Sequence, residues 1–160
     1  MYEDLLRIKA FREQTAASAV LRQRRVLEEQ TQTLRQARKA VIDFRNYRVN
    51  KERQLFENIK GRSVAVRAIE TMKQNVAALR EKEAGLESQI LAAEKQVKEA
   101  QQALEEARQQ HAETVRAHEK FGQFIAVQQE TERLEQTRRE ENELEETVSA
   151  GRPHGNPMIE

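Results

Sequence analysis

His111 and His118 stand seven residues apart, a spacing that brings two side chains to one face of a helix, and Glu83 is a carboxylate within an otherwise apolar pattern. Such residues can make a metal site, a proton-sensing pair or a general acid or base. The third histidine, His154, lies in a Gly- and Pro-containing stretch near the C-terminus. Two imidazoles with no third ligand nearby make a poor metal site, and the chain has no cysteine to supply a thiolate. Glu83 reads more simply as a register-setting ion-pair partner for Arg38 or Arg45 than as a catalytic carboxylate. A phosphate-binding glycine loop, a nucleophile motif and a dinucleotide fingerprint are all missing from the sequence. The expectation is no catalytic residue, no metal and no cofactor, and hence not an enzyme.

The elements that would position these groups are long helices. Of 160 residues, 38% are hydrophobic and 34% charged, with 5 Gly and 2 Pro. So small an apolar share cannot fill a globular core of this size, and so few breakers cannot supply its turns. From Glu3 to Ile59 there is neither Gly nor Pro, which predicts helix one over about 3–59. Gly61 can end a helix in the left-handed region and Ser63 can cap the next, so a turn is predicted at about 60–63. Helix two is predicted over about 64–148, followed by a flexible, disordered tail at 149–160. The expected architecture is all-α: a single long antiparallel two-helix coiled-coil hairpin, with a paired shaft about 85 Å long.

Helix two carries a heptad seam. Ile69, Met72, Val76, Leu79, Glu83, Leu86, Ile90, Ala93 and Val97 alternate by three and four, and the pattern continues to Ile125. Helix one has a thinner seam of Val20, Leu27, Leu34, Val41 and Leu55, with Arg48 in the gap and Arg24, Thr31, Arg38 and Arg45 as intervening positions. A fold-back near residue 62 predicts Leu55 against Ile69, Arg48 against Val76, Val41 against Glu83 and Leu34 against Ile90. A turn at another place would miss this match unless it shifted by a whole heptad. His111 and His118 would then face Glu13 and Leu6, and helix two would project alone from Gly122. Residues 1–60 carry 14 Lys+Arg against 8 Asp+Glu, and residues 61–148 carry 13 against 18. Opposite charge therefore favours pairing the two arms.

Two apolar groups stand out beyond the seam. Ile42, Val49 and Phe56 recur at sevens near the turn, with Phe44 and Tyr47 close by. They either broaden the core or form a docking patch. At the other end Leu5, Leu6 and Ile8 come opposite Phe121, Phe124 and Ile125, a plug against fraying. The arginines of helix one alternate with acids and face an acidic partner helix, so nucleic acid is not expected as a partner. The start Met1–Arg7 is charged and no apolar run is long enough to insert in a membrane. A cytoplasmic protein, monomeric in isolation, is expected.

The N-terminal run Leu5-Leu6-Arg7-Ile8-Lys9, then Arg12-Glu13, Ala16, Ala19-Val20 and Arg22-Gln23-Arg24-Arg25, followed by a long hairpin, resembles the YscO (SctO) stalk proteins of type III secretion, related to flagellar FliJ. The resemblance covers residues 1–145. It implies a non-enzymatic central stalk at the cytoplasmic face of the secretion apparatus, linking a hexameric secretion ATPase to the export gate protein, with secretion chaperones as further partners. It also implies a gate contact near Ile42, Phe44, Tyr47, Val49 and Phe56. The open end at Leu5, Leu6, Ile8, Phe121, Phe124 and Ile125 would face the ATPase. The alternatives are a scaffold forming a parallel homodimer, and a nucleic-acid or membrane-surface binder using helix one.

Overall fold

The computed structural model describes residues 1–151, and the end of the expected tail, with His154, lies outside the described residues. The chain forms two helices, α1 (Tyr2–Glu57) and α2 (Val66–Ala150), paired as an antiparallel hairpin. Helix two thus runs through Ser149 and Ala150, which the sequence assigned to the tail. Glu3 and Asp4 place negative charge in the first turn of α1, where the helix dipole favours it.

The connection is longer than the expected turn because α1 unwinds gradually. Asn58 N donates to Gln54 O (3.0 Å) and Lys60 N to Phe56 O (3.0 Å), so helical hydrogen bonding persists past Glu57. Gly61, at φ 72°, then takes the left-handed conformation that closes a helix. Helix α2 starts only at Val66, so Ser63 lies too far upstream to cap it. Leu55, Ile59, Val64, Ala68 and Met72 line a cleft of about 550 Å³ at this tip.

Backbone contacts divide the chain into two units, Thr15–His111 and the paired ends, Met1–Gln14 with the chain from Ala112 onward. In the first unit the core is a narrow seam of Val20, Leu34, Val41, Ala93, Ala100 and Leu104. Its deepest member is Val41, 2% exposed. In the second unit Ile125 is buried.

The register differs from the expected one by a heptad. Arg48 meets Glu83, not Val76. Arg45 also reaches Glu83, and Arg38 reaches Glu94. Among the paired ends, His118 meets Glu13, where the sequence reading set His118 against Leu6. Each unit shows the same seven-residue displacement. The reason is electrostatic. In the expected register Glu83 would lie in the layer of Val41, reached only by flanking arginines, and Arg48 in the layer of Val76 with only Glu52 of its own helix for a partner, so two charges would be set in apolar layers. Sliding one heptad keeps Leu27, Leu34, Val41 and Leu55 level with apolar residues and brings the two charged seam residues together.

The intervening seam positions on α1 also move by one residue. Gln23, Gln30, Ala37 and Phe44 are half-buried, while Arg24, Arg38 and Arg45 are exposed. Steps of three, not four, follow Val20, Leu27, Leu34 and Val41. Smaller or apolar side chains thus occupy the seam, and the arginines stay at its flank. The unpaired stretch of α2 consequently begins near Gln129, beyond which every described residue is exposed. Phe121 and Ile125 are packed, although the sequence placed the overhang from Gly122.

Candidate partner-binding surfaces

The charged layer of the Thr15–His111 unit is a connected network. Arg45 Nε donates to Glu83 Oε1 at 2.8 Å, and its Nη2 reaches Glu87. Arg48 presents Nε to Glu83 and donates from Nη1 to Glu52 Oε2 at 3.1 Å. Arg80 Nε donates to Glu52 Oε1 at 3.2 Å. The side chains of Glu83 and Arg48 are only 13% and 19% exposed, so the pair is largely desolvated. The hydrogen bond from Arg45 holds the Glu83 carboxyl below the usual carboxylate range; burial opposes this and the Arg48 charge reinforces it. Glu87 and then Glu83 raise the pKa of Arg45. Burial works against the Arg48 charge, but Glu52 and Glu83 outweigh it and the net shift is upward. Such a network sets register.

Of the residues singled out near the turn, Ile42, Val49 and Phe56 are exposed and share one flank of α1. Phe44 is not part of that surface. It is half-buried in the seam, with the Lys82 ammonium 5.2 Å from its ring centroid. Tyr47 is exposed and lies against Phe44 at 5.8 Å between centroids. Five helical positions from Ile42, about 140° round the helix, it belongs to the opposite flank.

At the paired ends, Tyr2 meets Phe124 edge-on at 6.4 Å and Phe121 stacks on Phe124 at 6.2 Å. Lys9 Nζ lies 5.9 Å from the Phe121 centroid. Ile125 is buried and Leu6 and Phe121 half-buried, which leaves Leu5, Ile8 and Phe124 to face solvent. Phe11, exposed beside them, was missed by the sequence reading because it lies off the seam. His118 Nδ1 lies 2.5 Å from Glu13 Oε2. Among the described residues no group of three or more His, Cys, Asp or Glu is placed to hold a metal.

Residues 2–150 match the family described as "Type III secretion protein YscO". The chain belongs to the YscO family of type III secretion proteins. The crystal structure of type III secretion protein YscO from Vibrio parahaemolyticus has the same fold, with a TM-score of 0.80 and 29% sequence identity. The likeness covers 95% of this chain and 93% of that one. No curated protein matches the chain. Among the described residues, no helix of this YscO-family protein is long and apolar enough to cross a membrane.

Proposed function

We propose that this YscO-family chain is a non-enzymatic central stalk of the export apparatus, placed at its cytoplasmic face between the secretion ATPase hexamer and the export gate protein, and that it also receives secretion chaperones. The observation that carries the reading is that exposed apolar side chains on the paired part of the charged hairpin collect in two regions, with Leu21 between them and Leu134, Leu144 and Val148 on the unpaired stretch of α2. Leu5, Ile8 and Phe124 stand at the paired ends, and Ile42, Val49 and Phe56 stand near the turn. Two separate contact regions on one hairpin suit a linker. Charged faces with few apolar anchors give weak, salt-sensitive contacts, as a component that must slip against its partners requires.

In this reading the paired ends meet the ATPase and the turn-proximal stripe meets the gate. The pairing of α1 with α2 within one chain argues against the parallel homodimer, because it already uses the seam such a dimer would need. Binding of the purified chain to its cognate ATPase at low salt, with stimulation of ATP hydrolysis, is the expected result. Neither binding nor stimulation at low salt overturns the stalk.

A further inference from the structure

Ile42 and Leu91 are large apolar residues, 58% and 67% exposed, and two ion pairs bracket both. Ile42 lies four residues after Arg38 and three before Arg45. Leu91 lies four after Glu87 and three before Glu94. Residues so spaced share a helix face. Arg38 pairs with Glu94 and Arg45 with Glu87, so Ile42 and Leu91 flank the same groove from opposite helices. Val49 and Phe56, at sevens from Ile42 and likewise exposed, extend the α1 wall toward the turn. An apolar wall of period seven, answered by an apolar residue on the second helix, is the surface that a third helix covers in a coiled-coil bundle.

The rim of the groove is basic. Arg35, Lys39 and Arg53 on α1 and Lys98 on α2 are exposed and stand outside the ion pairs of the described residues. Of the acids beside them, Glu83, Glu87 and Glu94 are already matched to arginines, and the exposed Asp43 and Glu57 leave the rim net positive. We propose that this groove docks an acidic amphipathic helix of a partner protein as a third strand of the coiled coil. The proposal rests on the reading of the turn-proximal region as a partner site and adds the chemistry of the partner. The chain's own overhang is acidic, with Leu134 and Val148 exposed. In either direction, however, aligning those two with Phe56 and Ile42 sets Glu141 against Val49, so a second copy fits poorly.

The test uses the full chain and two labelled synthetic helices, each about four heptads long with a leucine seam, one flanked by Glu and the other by Lys. The acidic peptide binds at least about tenfold more tightly than the basic one, and binding weakens with salt. Leu91→Ser and Phe56→Ser each weaken it at least about fivefold, with circular dichroism unchanged, and Arg53→Glu weakens it too. Arg22→Glu, on the other flank of α1, leaves it unaltered. Equal affinity for both peptides, no loss with Leu91→Ser, or an equal loss with Arg22→Glu overturns the proposal. So does a self-associated chain that Leu91→Ser converts to monomer in sedimentation. Peptide binding without ATPase binding overturns the stalk and leaves the groove standing; ATPase binding without peptide binding does the reverse.

Discussion

Arg48 of α1 lies against Glu83 of α2 as an ion pair, each supplying the charge that the other's seam lacks, while Glu52 accepts the arginine's hydrogen bond. A coiled coil of leucines and alanines can slide by seven residues at little cost, since every apolar layer meets another. A charged layer cannot. The pair therefore specifies register more than it adds stability.

Removing one partner should accordingly hurt more than removing both. Glu83→Gln leaves Arg48 in the seam with Glu52 of its own helix as the remaining anion and lowers the melting temperature. The double variant Arg48→Leu/Glu83→Leu melts at or above the parent temperature, but permits more than one register. Thermal unfolding followed by circular dichroism ranks the three chains. A single variant more stable than the double contradicts this.

Acid should weaken the pairing through the same residue. The folded pKa of Glu83 is depressed, so its contribution is fully present above the unfolded carboxylate value of about 4.3. It is lost as pH falls through the lower folded value. Arg45 and Arg48 are shifted upward by these same acids, so on the alkaline side the interaction persists until the arginines deprotonate in strong alkali, and on the acid side it is the carboxylate that ends it. Urea midpoints measured down to pH 2–3 should fall less steeply in Glu83→Gln than in the parent chain.

Helix pairing depends on a narrow seam, so cost should track burial residue by residue. Leu34→Ala, at a buried position, costs about 2–3 kcal/mol, the lower part of the range for core leucines, because a two-helix seam stays open at its flanks. Leu21→Ala, at an exposed position on the same helix, changes stability by no more than about 0.5 kcal/mol. Urea unfolding of the two variants checks the contrast.

The sequence made the hairpin, its two helices and the seam of α2 legible, because a 3–4 alternation of apolar residues has one structural solution when Gly and Pro are scarce. The register was not legible to better than one heptad. Leu27 suits Val97 and Leu104 alike, and the deciding contact, Arg48 with Glu83, emerges only when the cost of burying either charge alone is weighed. The place of Phe44 was hidden for a related reason. It sits near Ile42 in sequence but about 200° away round the helix, which takes it into the seam. Leu91 went unnoticed because the seam of α2 drew attention to Ile90, and its partnership with Ile42 depends on the observed pairing of Arg38 and Arg45 with Glu94 and Glu87.

Surface and fold should separate at the paired ends. Leu5→Ser/Ile8→Ser leaves unfolding within about 0.5 kcal/mol of the parent, as both residues are exposed. If these residues contact the ATPase, the same variant weakens that interaction at least about tenfold. Retained ATPase binding would place the contact elsewhere.

Disulfide trapping reads the register most directly. In the observed register Leu27 is level with Leu104, seven residues beyond the Val97 that a turn-centred fold-back would give it. Leu27→Cys with Leu104→Cys should oxidise rapidly to an intramolecular bridge in dilute full-length protein. Leu27→Cys with Val97→Cys, offset by about 10 Å along the helix, should remain reduced far longer. Faster bridging of the second pair, or bridging between chains in either, would contradict the hairpin described.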